Sequence, residues 1–243
     1  MRTNPLRWLP GALALALGAL PAQAGVLSPY KAVYELSRGK MMLGDTTFTL
    51  ARDGNTCYRL HGVAEPMGLA ALLAGKTEEE SRFCEVDGRL RAQSYKRTQQ
   101  NGDKDDSYSL RFDWGNRMVT TNGGASRELP PDGLDRGLME ISLRRLLKQA
   151  GGEAPREPFV FLLVEDDEIT PYSLQVTGRE PVSTPVGRFD TLKVERLNPG
   201  KREMRLWLAP ELDYLPVKVE RQKKGDPAVR MILRELPQSP VSK

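Results

Sequence analysis

The stretch Ser107-Tyr-Ser-Leu-Arg-Phe-Asp-Trp114 decides the fold. Tyr108, Leu110, Phe112 and Trp114 fall on one side, and Ser107, Ser109, Arg111 and Asp113 on the other. Successive side chains of an extended chain point to opposite faces, so this period of two reads as a strand with one dry and one wet face. The same alternation recurs on both sides of it. Toward the N-terminus, Tyr30, Ala32, Tyr34 and Leu36 alternate with Lys31, Val33 and Glu35, and Thr46, Phe48 and Leu50 share a face. Toward the C-terminus, Met204, Leu206 and Leu208 alternate with Glu203, Arg205 and Trp207. Leu215, Val217 and Val219 alternate with Lys218 and Glu220, and Val229, Met231 and Leu233 with Arg230 and Arg234. Phe159–Val164 is apolar on both faces, which predicts a more central strand. Turn signals such as Asp87-Gly88, Asn101-Gly102-Asp103 and Asn122-Gly123-Gly124 separate the runs. About eleven strands at this spacing predict a mainly β chain, an antiparallel meander curled into a barrel or half-barrel.

Two segments break the pattern. Asp132 is placed to cap a helix over about 133–148, with Asp135 in its first turn and Gly151 past its end. Leu134, Leu138 and Ile141 make one apolar stripe; Met139, Leu143, Leu146 and Leu147 make another. A helix with two apolar faces needs cover on both, and the concavity of a curled sheet supplies it. The other exception is Pro66–Gly75, apolar throughout, which reads as a short helix between strands. Met67, Leu69, Leu72 and Leu73 are its candidate ligand-binding residues: they either close one end of the barrel as core or form a lid over an apolar cavity.

The first 24 residues have the layout of a secretory signal peptide. Arg2 and Arg7 precede an apolar region, Leu9–Leu20, and Ala22-Gln23-Ala24 forms a small-x-small cleavage site. About twelve apolar residues are too few to span roughly 30 Å of hydrocarbon. No later apolar stretch is long enough either, so no transmembrane segment is expected in the mature chain. Cleavage after Ala24 removes two of the 36 basic residues and none of the 32 acidic ones, leaving a net charge of +2. That near balance calls for no nucleic-acid partner. A single β-rich domain over 25–236 and a frayed tail over 237–243 are expected, in the periplasm.

An oxidising compartment lets the two cysteines pair. Cys57 opens a strand running to about Ala64, and Cys84 lies near the end of one starting at about Thr77. If the two form an antiparallel hairpin around Pro66–Gly75, pairing 57 with 84 also pairs 64 with 77. The cysteines then face one another at the base, within disulfide reach.

Catalytic constellations are scarce. The single histidine rules out a two-His metal site, two cysteines rule out a Cys₄ site, and neither a metal nor a cofactor is expected. There is no G-x-S-x-G, no phosphate-cradling glycine loop and no C-x-x-C. His61 reads as a strand histidine. The acidic runs Glu78–Glu80 and Glu165–Glu168 read as solvated loop ends, or as paired carboxylates of an envelope hydrolase. Arg59, Arg111, Arg205, Lys218, Arg230 and Arg234 lie opposite the apolar strand faces, as a charged solvent face or a basic surface for anionic lipid or glycan.

Several segments, taken in order, carry a resemblance. They are Tyr30-Lys-Ala-Val-Tyr34, Gly44-Asp45, Gly68-Leu-Ala-Ala-Leu-Leu73 running into Glu78-Glu-Glu-Ser-Arg82, Phe112-Asp-Trp114, Leu129-Pro-Pro131 and the 134–147 helix. The most specific are Thr184-Pro-Val-Gly-Arg-Phe-Asp190 and Trp207-Leu-Ala-Pro-Glu-Leu-Asp-Tyr-Leu-Pro-Val-Lys218. In this order, over about 30–236, the chain resembles the bacterial envelope family known as domain of unknown function 3108. Met41-Met42-Leu43 departs from it, standing where a shorter turn motif precedes Gly44. The resemblance implies an exported β-rich protein and transfers no catalytic residue. The expected function is non-catalytic binding of a hydrophobic envelope component or a partner protein, with a carboxylate hydrolase and a ligand-free scaffold as alternatives.

Overall fold

The computed structural model describes residues 27–239 apart from 69, 74, 102, 103, 106, 152–154, 198, 199 and 201. The expected signal peptide and residues 240–243 of the tail lie outside these. The first five strands follow one another as antiparallel neighbours: β1 (Tyr30–Arg38), β2 (Met41–Arg52), β3 (Cys57–Pro66), β4 (Thr77–Val86) and β5 (Arg89–Asn101). Asp87 and Gly88 both take positive φ (51° and 72°), the conformation of the tight turn whose twist matches the strands it joins. Between β1 and β2 a register shift at Leu36/Ser37 absorbs the longer Met41–Leu43 approach to Gly44 as a bulge.

Beyond β5, β6 (Lys104–Asp105) pairs only with it, and β7 (Tyr108–Asp113), β8 (Met118–Thr121) and β9 (Ser126–Glu128) carry the sheet to one end. The other half runs from β10 (Gly133–Leu134) through β11 (Phe159–Val164), β12 (Ile169–Thr184), β13 (Gly187–Arg196), β14 (Arg202–Ala209), β15 (Leu215–Lys223) and β16 (Val229–Gln238). β16 then pairs with β1, joining the halves into one curled sheet whose ends, β9 and β10, do not bond to each other. The architecture is an open half-barrel. It has sixteen strands among the described residues, more than the alternation alone resolves, because β6, β9 and β10 are too short to show a period.

Three expectations are corrected. Phe159–Val164 is not central: β11 is the second strand from one end, paired with the two-residue β10 in parallel, and Val160 is 61% exposed. The helix α2 spans Arg136–Gln149, capped by Asp135 rather than Asp132, because Gly133 and Leu134 are drawn into β10. β16 also runs through Pro237 to Gln238, so the strand takes in the first two residues assigned to the tail.

α2 lies in the concavity, against β4, β5 and β11. Leu134, Leu138, Met139, Ile141, Leu143 and Leu147 are all buried there. Both apolar stripes are thus covered, except that Leu146 points outward at 38% exposure. Gly137 lets the helix approach closely, since a Cβ there would stand 2.8 Å from the Cβ of Ser81 on β4. Cys57 and Cys84 are directly opposed on β3 and β4 and form a disulfide, with Ala64 opposite Thr77 at the other end of the pairing.

Candidate binding cavity

The inward faces of the strands are apolar except at one end of the half-barrel. There, beside the first turns of α2, a cavity of about 260 Å³ opens. Leu36, Phe48, Leu60, Val219 and Met231 make its apolar wall. The lining also holds five charged side chains: Glu79 of β4, Arg97 of β5, Arg136 and Glu140 of α2, and Arg221 of β15. The three on strands sit inward for a plain reason. Glu79 is in phase with buried Ser81 and Phe83, and Arg97 with buried Tyr95. Arg221 is the next inward position after Leu215, Val217 and Val219.

The charges are largely paired. Arg97 binds Glu79, its register partner, and Arg136 binds Glu165, from the turn after β11. Burial pushes the Glu140 carboxyl above the usual range, against the pull of Arg144 and Arg221. Beneath the cavity, Asp135 is fully buried. Its Oδ1 accepts the Leu138 N–H at 2.9 Å and its Oδ2 accepts the Ser81 hydroxyl at 2.9 Å. Burial outweighs these bonds and raises its pKa to about 6.

That shift predicts a pH dependence. Because the folded-state pKa is raised, the native state holds this proton more tightly than the unfolded chain does. The stabilisation is complete below about pH 4, falls as pH rises to about 6, and is flat above, a change of up to about 3 kcal/mol. Asp135→Asn keeps an oxygen for the Leu138 N–H and removes the titration. Urea denaturation at pH 4 and pH 7 should show the drop in the parent chain to be larger, by about 2–3 kcal/mol, than in the Asn variant. Equal drops would contradict the buried titration.

The residues singled out in the sequence are placed differently. β3 stays paired with β2 as far as Pro66, while its pairing with β4 ends at Ala64 opposite Thr77; both of these line the cavity, so the Pro66–Gly75 excursion stands at its rim. Within it, α1 is a single turn, Ala70–Leu73, against β2 and β3. Met67 is 52% exposed, and its N–H donates to the Leu43 carbonyl at 2.8 Å; it is not part of the cavity wall. Leu72 and Leu73 form the second half of α1, and Leu69 lies outside the described residues. Met41 and Met42, also exposed, flank the same edge across β2.

The acidic runs are split by the sheet rather than paired. Glu78 reaches Lys76 at 2.6 Å and Glu80 reaches Arg82 at 2.9 Å on the outer face, while Glu79 turns inward to Arg97. In the second run Glu165 pairs with Arg136, and Asp166 and Asp167 are exposed. His61 lies on the outer face of β3, between Thr49 and Glu80 in register. Among the described residues, no group of three His, Cys, Asp or Glu side chains gathers as metal ligands would. No helix there is long and apolar enough to cross a membrane.

The outer cations are interleaved with carboxylates: Glu220 alone faces Arg205, Lys218 and Arg230 within 3.7 Å, and Arg234 binds Asp45. This is a mixed solvent face, not a basic plate. Trp207 is buried on that face, with the Lys218 and Lys193 ammoniums 3.9 and 5.8 Å from its ring. Trp114 is half-buried on the inner face, its ring N–H donating to the Ala92 carbonyl at 2.7 Å.

Comparison with known proteins places the fold and stops there. A crystal structure of a β-barrel-like protein of domain of unknown function DUF1849 from Brucella abortus is similar, with a TM-score of 0.57. It shares 13% sequence identity over 88% of this chain and 98% of that one, a likeness of fold alone. Curated proteins give no match. The profile of the family described as protein of unknown function (DUF3108) matches residues 32–234, from the second inward residue of β1 to the middle of β16, and the chain belongs to that family.

Proposed function

We propose that this chain is an exported periplasmic protein that binds a hydrophobic component of the cell envelope and catalyses no reaction. The observation that carries the reading is the cavity: space inside the half-barrel with an apolar wall and an apolar excursion at its rim. Such cavities, at strand-lined mouths, are where curled sheets hold small ligands. The signal-like first 24 residues and the disulfide are consistent with an oxidising compartment. The paired state of Glu79 and Glu165 speaks against the carboxylate hydrolase, which needs one free acid and one free base.

The test is expression from the full sequence, followed by fractionation and native mass spectrometry of the gently extracted periplasmic pool. The expected species begins at Gly25 and carries a lipid or another apolar molecule in stoichiometric amount. A chain that keeps Trp8–Leu20 in the membrane fraction would overturn the export reading. A periplasmic chain that is always ligand-free would overturn the binding reading and favour a scaffold.

A further inference from the structure

Among the charged groups in the cavity, Arg221 stands apart. Arg97 and Arg136 each have a carboxylate partner, but among the described residues no carboxylate lies within ion-pair distance of Arg221. Its neighbours across the sheet are apolar, Met204 on one side and Val229 on the other. The acids that act on it from a distance, Glu79 and Glu140, are respectively committed to Arg97 and pushed toward the neutral form. Arg136, also in the lining, repels it. Arg221 is nonetheless an exposed residue. Three further polar atoms of the lining, Thr46 Oγ1, Tyr95 Oη and Arg136 Nε, are buried with no hydrogen-bond partner, a state that native proteins rarely leave unfilled.

We propose that the cavity receives a single-chain anionic amphiphile, its carboxylate or phosphate held by Arg221 and its chain laid along Phe48, Leu60, Val219 and Met231. This rests on the hydrophobic-binding reading above and names the class of ligand. A guanidinium offers planar paired donors that match both anions, and a charge-assisted bond is among the stronger ones. The volume argues for one chain, since about 260 Å³ lies at the small end of cavities for small molecules. Arg221 supplies the charge, and Thr46 Oγ1 and Arg136 Nε supply hydrogen-bonding groups elsewhere in the lining.

The test uses the delipidated chain and four probes with the same tail: dodecanoate, dodecyl phosphate, dodecanol and dodecyltrimethylammonium, titrated by calorimetry. At least one of the two anions should bind about 10–100-fold more tightly than dodecanol. Which of the two binds more tightly separates a fatty-acid source from a phospholipid-like one. Arg221→Met should reduce anion binding to the level of dodecanol and leave dodecanol unchanged, and Arg221→Lys should retain part of the preference. Dodecanol binding as well as both anions, or the cation binding best, would overturn the anionic headgroup and leave hydrophobic binding standing. No binding by any probe would overturn both readings. If Arg221→Met fails to fold, the four-probe comparison on the parent chain still decides.

Discussion

Replacing Cys57 and Cys84 together with alanine is expected to lower the stability of the chain by about 3–4 kcal/mol. The bridge joins residues 27 apart, and the segment it closes holds β3, the Pro66–Gly75 excursion and β4. Most of that loop is a hairpin whose ladder runs unbroken from Cys57 opposite Cys84 to Ala64 opposite Thr77. Reducing the bond frees the unfolded chain far more than the folded one, so the loss appears mainly as a gain in denatured-state entropy. The bridge pins the hairpin at the end away from the cavity rim, so the variant should keep its fold in the absence of denaturant. Denaturation midpoints of parent and double variant, each with and without reductant, measure the effect. The parent alone should respond to reductant. Two free thiols in the unreduced, denatured parent, or a difference below about 1 kcal/mol, would contradict it.

Leu138→Ala is expected to cost about 2–5 kcal/mol. Leu138 is fully buried in the first turn of α2, between the helix and the sheet that wraps it. Removing its branched end leaves a hole lined by side chains that cannot all close in, so the lost transfer energy and the cavity add. Leu147, buried at the other end of the helix, should behave alike. Leu146, which points outward, should cost less than about 1 kcal/mol. Four urea titrations at one pH, the parent and the three variants, suffice. A small loss at Leu138 and Leu147 would mean that the helix lies on the sheet rather than within it.

The strands were legible because alternation survives in the plain order of residues. Tyr108, Leu110 and Phe112 announce their face without help from any distant contact, and so do Val217 and Val219. The cysteine pairing was legible for a related reason: two strands around one apolar excursion admit a register that brings 57 opposite 84 and 64 opposite 77, and the sheet adopts it. The cavity was harder to see. Arg221 continues the series Leu215, Val217, Val219 in phase, but a guanidinium reads as a wet residue and so marks an end to the strand's dry face. Glu79 hides between Glu78 and Glu80, where composition suggests a solvated run and only the phase with Phe83 turns the middle acid inward. The helix start depended on a choice between Asp132 and Asp135 that only tertiary context makes. Asp135 is the one whose carboxylate finds both the Leu138 N–H and the Ser81 hydroxyl. The Phe159–Val164 run was misplaced because its apolar content reflects contact with α2, not a position amid many strands.

The seam between β16 and β1 has a consequence for the order of assembly. Almost every other antiparallel pair joins strands adjacent in the chain and can zip from a short turn, whereas this one sets Lys31 opposite Gln238. It carries the largest loop-closure entropy of any pairing in the sheet, and contacts of that kind are the slow ones. A chain delivered N-terminus first offers β1 at the outset and its second neighbour last of all. Throughout that interval one side of β1 is an open edge, its amides and carbonyls available to any other extended chain.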